Sequence, residues 1–437
     1  MLELKKFKSA EIKAILGNTL WLSIEKIFRM GLGFFVLALI VRYLGPEQFG
    51  NYSYILAFVA LFDPLLNLIP SSIIVKDLVQ KKYSEEIVLG TVTLVRFLGA
   101  LTSLFLINII SFTFANHSPE LRLLAFIMSF DLFVRIFESL DAFYQSEVKA
   151  KFSVYAKLIA LTLSALFRVV LVVGKFPISY FIFACVLESS LFIGGFVLLY
   201  LKVYHKKPTL WKFDKVYLKE VLKISLAPLL SSVAITIYMK INQVMLKNMA
   251  DAYQAGLFGA STKITELWYF IPLAISASFF PSIVALKTID QSHYWSRLRR
   301  LFSLMTFTAL TISVTMTFFG DLLIHILFSS KYSEAIPVFQ IHIWTCLFVF
   351  WGVMQNAWDI TENLLHLSLI RNVLAAFTNV SLNFILIPHY GAIGAAWAAV
   401  ISYGGCNWIF NLFHEKTRKI FVLELYSFFP YFLKNKI

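Results

Sequence analysis

The sequence predicts an all-α, polytopic membrane protein with about twelve transmembrane helices in two six-helix bundles. Three observations carry that expectation. Only 15% of the 437 residues are charged and 59% are hydrophobic, against roughly 25% charged in a soluble domain. The apolar residues fall in separated blocks of about 20, the length that crosses a hydrocarbon core of about 30 Å as helix. The positive charges collect in the short loops between those blocks, as cytoplasmic loops of membrane proteins do. The same numbers exclude a soluble enzyme, a disordered chain and a secreted disulfide scaffold. The formal charge of +14 could suit a nucleic-acid binder, but its placement in loops argues against one, and no nucleic-acid partner is expected.

In chain order the spans are expected at 15–41, 52–75, 87–110, 121–145, 152–173, 178–201, 221–246, 257–285, 301–328, 335–358, 366–387 and 391–413. The four lysines of the first 13 residues precede a long apolar stretch without a small-residue cleavage site, so the start reads as the first span and not as a signal peptide. With the N-terminus in the cytoplasm, 24 Lys and Arg lie in cytoplasmic segments against 5 on the opposite face, Arg122 at the edge of its span being counted with the loop before it. This bias places both ends in the cytoplasm. The longest polar connection, 202–220, holds six lysines and falls mid-chain. It divides an N-terminal bundle (1–201) from a C-terminal bundle (221–413), and a cytoplasmic or interfacial tail (414–437) follows. The stretch 420–437 is too short for a span and is interrupted by Glu424 and Pro430. It is expected as an interfacial helix, with Lys434 and Lys436 at the headgroups. Residues 43–53 and 250–261 echo one another: in both, a polar corner leads to Gly, an aromatic and small residues.

Cys185, Cys346 and Cys406 all fall in apolar segments and form no CxxC, so neither a disulfide framework nor a metal centre is expected. The chain carries no phosphate-binding glycine loop, HExxH or GxSxG motif, and no long external loop to hold chemistry. Transport is the expected class, not catalysis, with no bound cofactor. Pro64, Pro70, Pro228, Pro272 and Pro281 mark spans able to kink.

Ionisable residues inside spans are costly and by default face a cavity or a partner. Ten basic residues stand there: Lys26, Arg29, Arg96, Arg135, Lys157, Arg168, Lys223, Lys240, Lys263 and Arg371. Local pairing explains some of them, since Arg29 follows Glu25 by four, Arg135 lies between Asp131 and Glu138, and Lys263 precedes Glu266 by three. Lys157, Arg168 and Lys223 can snorkel toward a span end. Despite such local partners, Arg29, Lys240, Lys263, Lys26, Arg96 and Arg371, spread over spans 1, 3, 7, 8 and 11, stand as candidate substrate-binding residues. If they converge they form a cationic cavity for an anionic substrate such as a phosphate or diphosphate; scattered structural pairing is the alternative.

Four stretches carry a family resemblance. They are Arg42-Tyr43-Leu44-Gly45-Pro46-Glu47-Gln48-Phe49-Gly50-Asn51-Tyr52, the run from Tyr238 to Leu246, Gly256 to Glu266 with Pro272 and Pro281 behind it, and Leu382 to Ala396. In order and placement they resemble polysaccharide flippases of the Wzx type. Family members often carry Asp where Asn242 stands, which shifts attention to Lys240. The resemblance implies a MATE-like fold. It further implies an undecaprenyl-diphosphate-linked oligosaccharide as substrate, moved across the bacterial cytoplasmic (inner) membrane for O-antigen or capsule assembly by alternating access coupled to H+ or Na+. Arg29, Lys240 and Lys263 would then hold the diphosphate. Membrane lipids, a polysaccharide polymerase and a chain-length regulator are the implied partners. A multidrug or cation antiporter of the same fold, and a non-transporting scaffold of a polysaccharide synthesis complex, are the rival readings.

Overall fold

The computed structural model describes residues 2–113, 118–147 and 150–429, and among them every regular element is helical. Among the described residues nine segments are long and apolar enough to cross a membrane. Two of these, Ile24–Gln80 and Leu365–Phe413, span 57 and 49 residues, about twice what one crossing needs. Each turns at a left-handed glycine, Gly45 (φ 69°) and Gly391 (φ 53°). A side chain would be strained at both. The turn at Gly391 brings Gly394 back against the Leu386 carbonyl, so the chain reverses there. The broken helical run from Pro119 to Ser146 carries charges in its middle. With it, and with the two long segments crossing twice, the described helices supply the twelve crossings that the sequence predicts. Exposed aromatics such as Phe318 (80%) and Phe307 (72%) are what lipid-facing helix surfaces require.

The helices form two compact units, residues 1–43 with 58–229, and 44–57 with 230–437. In the first, the connection 202–220 packs onto the unit that precedes it. Lys212 N donates to Glu86 O at 3.0 Å, Asp214 N to the Thr91 hydroxyl at 3.1 Å, and the Tyr217 hydroxyl to Asp77 at 2.9 Å. Lys206 pairs with Glu85. Tyr217 and Val221 complete a buried cluster with Val88, Phe143 and Phe196.

Two breaks in the first unit admit polar groups to its interior. The second crossing stops at Ala60, makes one turn at Asp63–Leu66, and resumes at Ser71–Gln80. Pro64 opens that turn, and Pro70, in extended backbone, ends the gap. A proline lacks the donor that a continuous helix needs. The fourth crossing tightens to a 3-10 turn at Arg135–Glu138 between Pro119–Val134 and Ser139–Ser146.

In the second unit the echo between 43–53 and 250–261 has a physical counterpart. A Cβ on Gly50 would lie 1.7 Å from the Ala252 carbonyl oxygen, and one on Gly256 would lie 1.8 Å from that of Pro46. Each glycine stands four residues after the residue that contacts the other, so the two helix starts cross reciprocally. Asp251 caps its helix by accepting from Gln254 N at 2.7 Å. The sequence places 420–437 at the interface. In the structure the helix Glu415–Ser427 instead turns Ile420, Leu423, Glu424 and Ser427 into the unit and leaves Tyr426 and Phe429 exposed. Lys434 and Lys436 lie outside the described residues.

The crossing of glycines predicts that Gly256→Ala lowers stability by roughly 1–3 kcal/mol, because backbone on both sides must move apart. Gly194→Ala, with nothing within 4 Å of the added carbon, is expected to be neutral. Thermal unfolding of the two variants in detergent checks the contrast.

Candidate functional site: a charged cluster in each unit

In the first unit a cavity of about 290 Å³ is lined by Arg29, Asp131, Arg135, Glu138, Lys157, Glu188, Ser189 and Phe192, among others. Its elements are the first helix, the broken fourth crossing, and the helices Ala150–Val173 and Ile178–Lys202. The 3-10 turn sets Arg135 and Glu138 one above the other, because side chains three apart eclipse in that geometry. Arg135 reaches Asp63 at 2.9 Å, Asp131 at 3.6 Å and Glu138 at 3.5 Å. The break in the second crossing is what frees Asp63 to face it. Asn67, from the same gap, accepts from Arg96 at 3.0 Å, and Arg96 lies 3.4 Å from Glu138. Lys157 meets Asp141 at 2.9 Å, and Arg168 meets Glu188 at 2.6 Å. Three cations and three carboxylates line the cavity, so its lining charges are equal in number.

In the second unit Lys240, on Lys215–Met249, and Lys263, on Ala252–Leu267, share one carboxylate. Lys240 is 3.3 Å from one Glu266 oxygen and Lys263 is 3.4 Å from the other. Both ammonium groups keep about a third of their side-chain surface exposed (29% and 35%). Two lysines on one acid leave a single positive charge in excess. Arg371 lies elsewhere in this unit, buried against Asp359, which is fully buried. Asn242 is buried in an amide chain with Asn383 and Asn379, and Asn379 donates to the Ser402 hydroxyl at 2.9 Å.

The structure thus places the six candidate residues in distinct settings. Arg29 lines the first cavity, paired with Glu25 at 2.7 Å and 4.0 Å from Glu188, and 44% of its side chain is exposed. Lys26 is exposed one turn before it. Arg96 is almost fully buried. Lys240 and Lys263 meet at Glu266. Arg371 is locked into a separate buried set. Arg135 and Lys157, which the sequence explains by local pairing and by snorkelling, line the cavity. Arg135 shows the two local pairs expected of it, but its third partner comes from 72 residues away. Lys157 does not snorkel, because Asp141 is within reach and only 12% of the lysine side chain is exposed. The excess of acids near the fourth crossing was the available signal for both.

A model of the family described as polysaccharide biosynthesis protein matches residues 15–287. The chain is 23% identical over 378 residues to the capsular polysaccharide biosynthesis protein CapF of Staphylococcus aureus, covering 84% of this chain and 91% of that one. Among solved structures, an inward-facing multidrug resistance MATE family transporter of the MOP superfamily superposes with a TM-score of 0.73 at 16% identity, over 93% of this chain and 99% of that one. The lipid II flippase MurJ in an inward closed conformation gives the same TM-score at 18% identity, over 94% and 91%. At these identities the structural likenesses show the fold alone, and it is the fold that the sequence predicts.

Removing a cation from a carboxylate cluster leaves uncompensated charge behind. Arg135→Gln is expected to destabilise the protein by on the order of 3 kcal/mol, because three acids then face one another. Arg29→Gln, nearly half exposed, should cost under about 1 kcal/mol. Asp131→Asn added to Arg135→Gln should recover part of the loss. Unfolding midpoints of the single and double variants decide this.

Proposed function

The chain belongs to the polysaccharide biosynthesis protein family, and on that premise we propose that it is a flippase for an undecaprenyl-diphosphate-linked oligosaccharide. It carries the cargo from the cytoplasmic to the outer leaflet of the bacterial inner membrane for capsule or O-antigen assembly. One observation supports this reading above the others: Lys240 and Lys263 converge on a single carboxylate and retain a net positive charge. A lysine ammonium serves a phosphate as a compact point charge, and a diphosphate supplies the counter-charge that Glu266 leaves unmet. Arg29, partly exposed on the first unit's cavity, is assigned to the same cargo.

The fold is that of alternating-access transporters. Side chains that exchange partners with the cargo offer a way to couple binding to the change of access. When the diphosphate arrives, Lys240 and Lys263 can leave Glu266 for it; when it departs, the carboxylate takes them back. An H+ or Na+ gradient drives the cycle, both termini lie in the cytoplasm, and the product passes to a polymerase and a chain-length regulator. A multidrug cation antiporter would need an excess of acid at this position, and the shared carboxylate leaves the opposite sign.

Complementation of surface polysaccharide in a flippase-deleted strain tests the reading. Lys240→Ala and Lys263→Ala should each lower polymer at least about tenfold, the effect of losing one charge-assisted contact, with protein levels maintained. Arg29→Ala should lower it less. Normal polymer in all three variants overturns the proposal, and drug resistance without a polymer defect favours the antiporter.

A further inference from the structure

The second unit contains a buried charge imbalance that the cargo does not use. Asp359 and Glu424 are fully inaccessible, Arg371 is 6% exposed, and Gln355 and Asn411 fill the space between them at 1% and 0%. Arg371 pairs with Asp359, and the Asn411 amide lies 3.3 and 3.4 Å from the two Glu424 oxygens. We propose that Asp359, Arg371 and Glu424 form a binding site for a single proton, whose occupancy holds the C-terminal helix Glu415–Ser427 against the second unit. Such a site is independent of the identity of the cargo.

Charge balance requires the proton. The set holds one guanidinium and two carboxyl groups. If both acids were ionised, a negative charge without counter-ion would sit in a water-free interior, and the group neutralises instead. Asp359 Oδ1, fully buried, also lacks a hydrogen-bond partner among the described residues.

The amide chain points the same way. Gln355 satisfies Arg371 only with its oxygen turned toward the guanidinium, at 3.0 and 3.2 Å from its nitrogens. That oxygen then stands 2.6 Å from the end of the Asn411 amide. Two oxygens do not approach so closely, so Asn411 presents its nitrogen there and its own oxygen to Glu424. A carboxyl facing an amide oxygen can bond to it only as a donor, that is, when protonated. The proton comes from the aqueous phase and converts Glu424 from carboxylate to carboxylic acid; no other bond changes.

The surrounding helices supply the remaining polar groups. Thr345–Glu362 contributes Asp359, and Leu365–Asn407 contributes Arg371 and Cys406, whose thiol contacts Asn372. The helix Gln291–Phe328 contributes Thr306, bonded to Ser427, and its Arg299 stacks on Tyr426 at the exposed side of the terminal helix. Among the described residues, Arg371 pairs with Asp359 and acts electrostatically on Glu424. Burial also raises the Glu424 carboxyl well above the usual carboxylate range. An acid with a raised folded-state value contributes stability present at low pH and lost as pH climbs through that value. Docking of the terminal helix therefore weakens on alkalinisation.

Hydrogen exchange on the full-length protein in lipid nanodiscs, corrected for intrinsic exchange, tests this at about pH 6 and about pH 9. Protection of 415–427 should fall at least about tenfold at the higher pH, relative to the helix 291–328 as internal reference. Glu424→Gln and Asp359→Asn each leave one acid against one guanidinium, and each should flatten the dependence. Equal wild-type protection at both values overturns the proposal. So does a wild-type slope retained in either variant. Should one variant misfold, the other and the wild-type profile still decide.

Discussion

Arg135 reaching three carboxylates from two crossings expresses the constraint that orders this molecule. A charge taken out of water must meet its opposite or neutralise. In the first unit that rule has shaped the backbone as well as the side chains. The gap between Ala60 and Ser71 interrupts a helix, yet it delivers Asp63 to Arg135 and Asn67 to Arg96. The 3-10 turn at Arg135–Glu138 stacks the charges that the gap then serves. Two irregular stretches that would weaken a soluble helix are here the means by which a polar interior is satisfied.

The two units meet the constraint differently. In the first, as many cations as acids line the cavity. The second leaves one ammonium short of a partner at Glu266 and one carboxyl short of a partner around Arg371. The proposed anion would answer the excess beside the lysines, and the proposed proton the excess beside the acids.

The crossings were legible because hydrophobicity and loop charge are local properties of the chain. Local pairs were legible for the same reason: Glu25–Arg29, Asp131–Arg135 and Lys263–Glu266 follow from helical spacing and are present. What spacing could not supply is the partner from another helix. Asp63 for Arg135, Asp141 for Lys157, and Glu266 for Lys240 depend on how helices pack, and no period in the sequence encodes that. Glu424 misled for a related reason. An acid in a short apolar stretch argues for a wet interfacial helix, and only the buried Asn411 and Gln355 make its burial intelligible.

The reciprocal seat of Gly50 and Gly256 constrains which residues these two positions can hold. Each helix start presses on the other's carbonyl, so neither position can accept a side chain by itself, and enlarging both together doubles the clash and relieves nothing. The pair is fixed by shape, whatever cargo the lineage comes to carry.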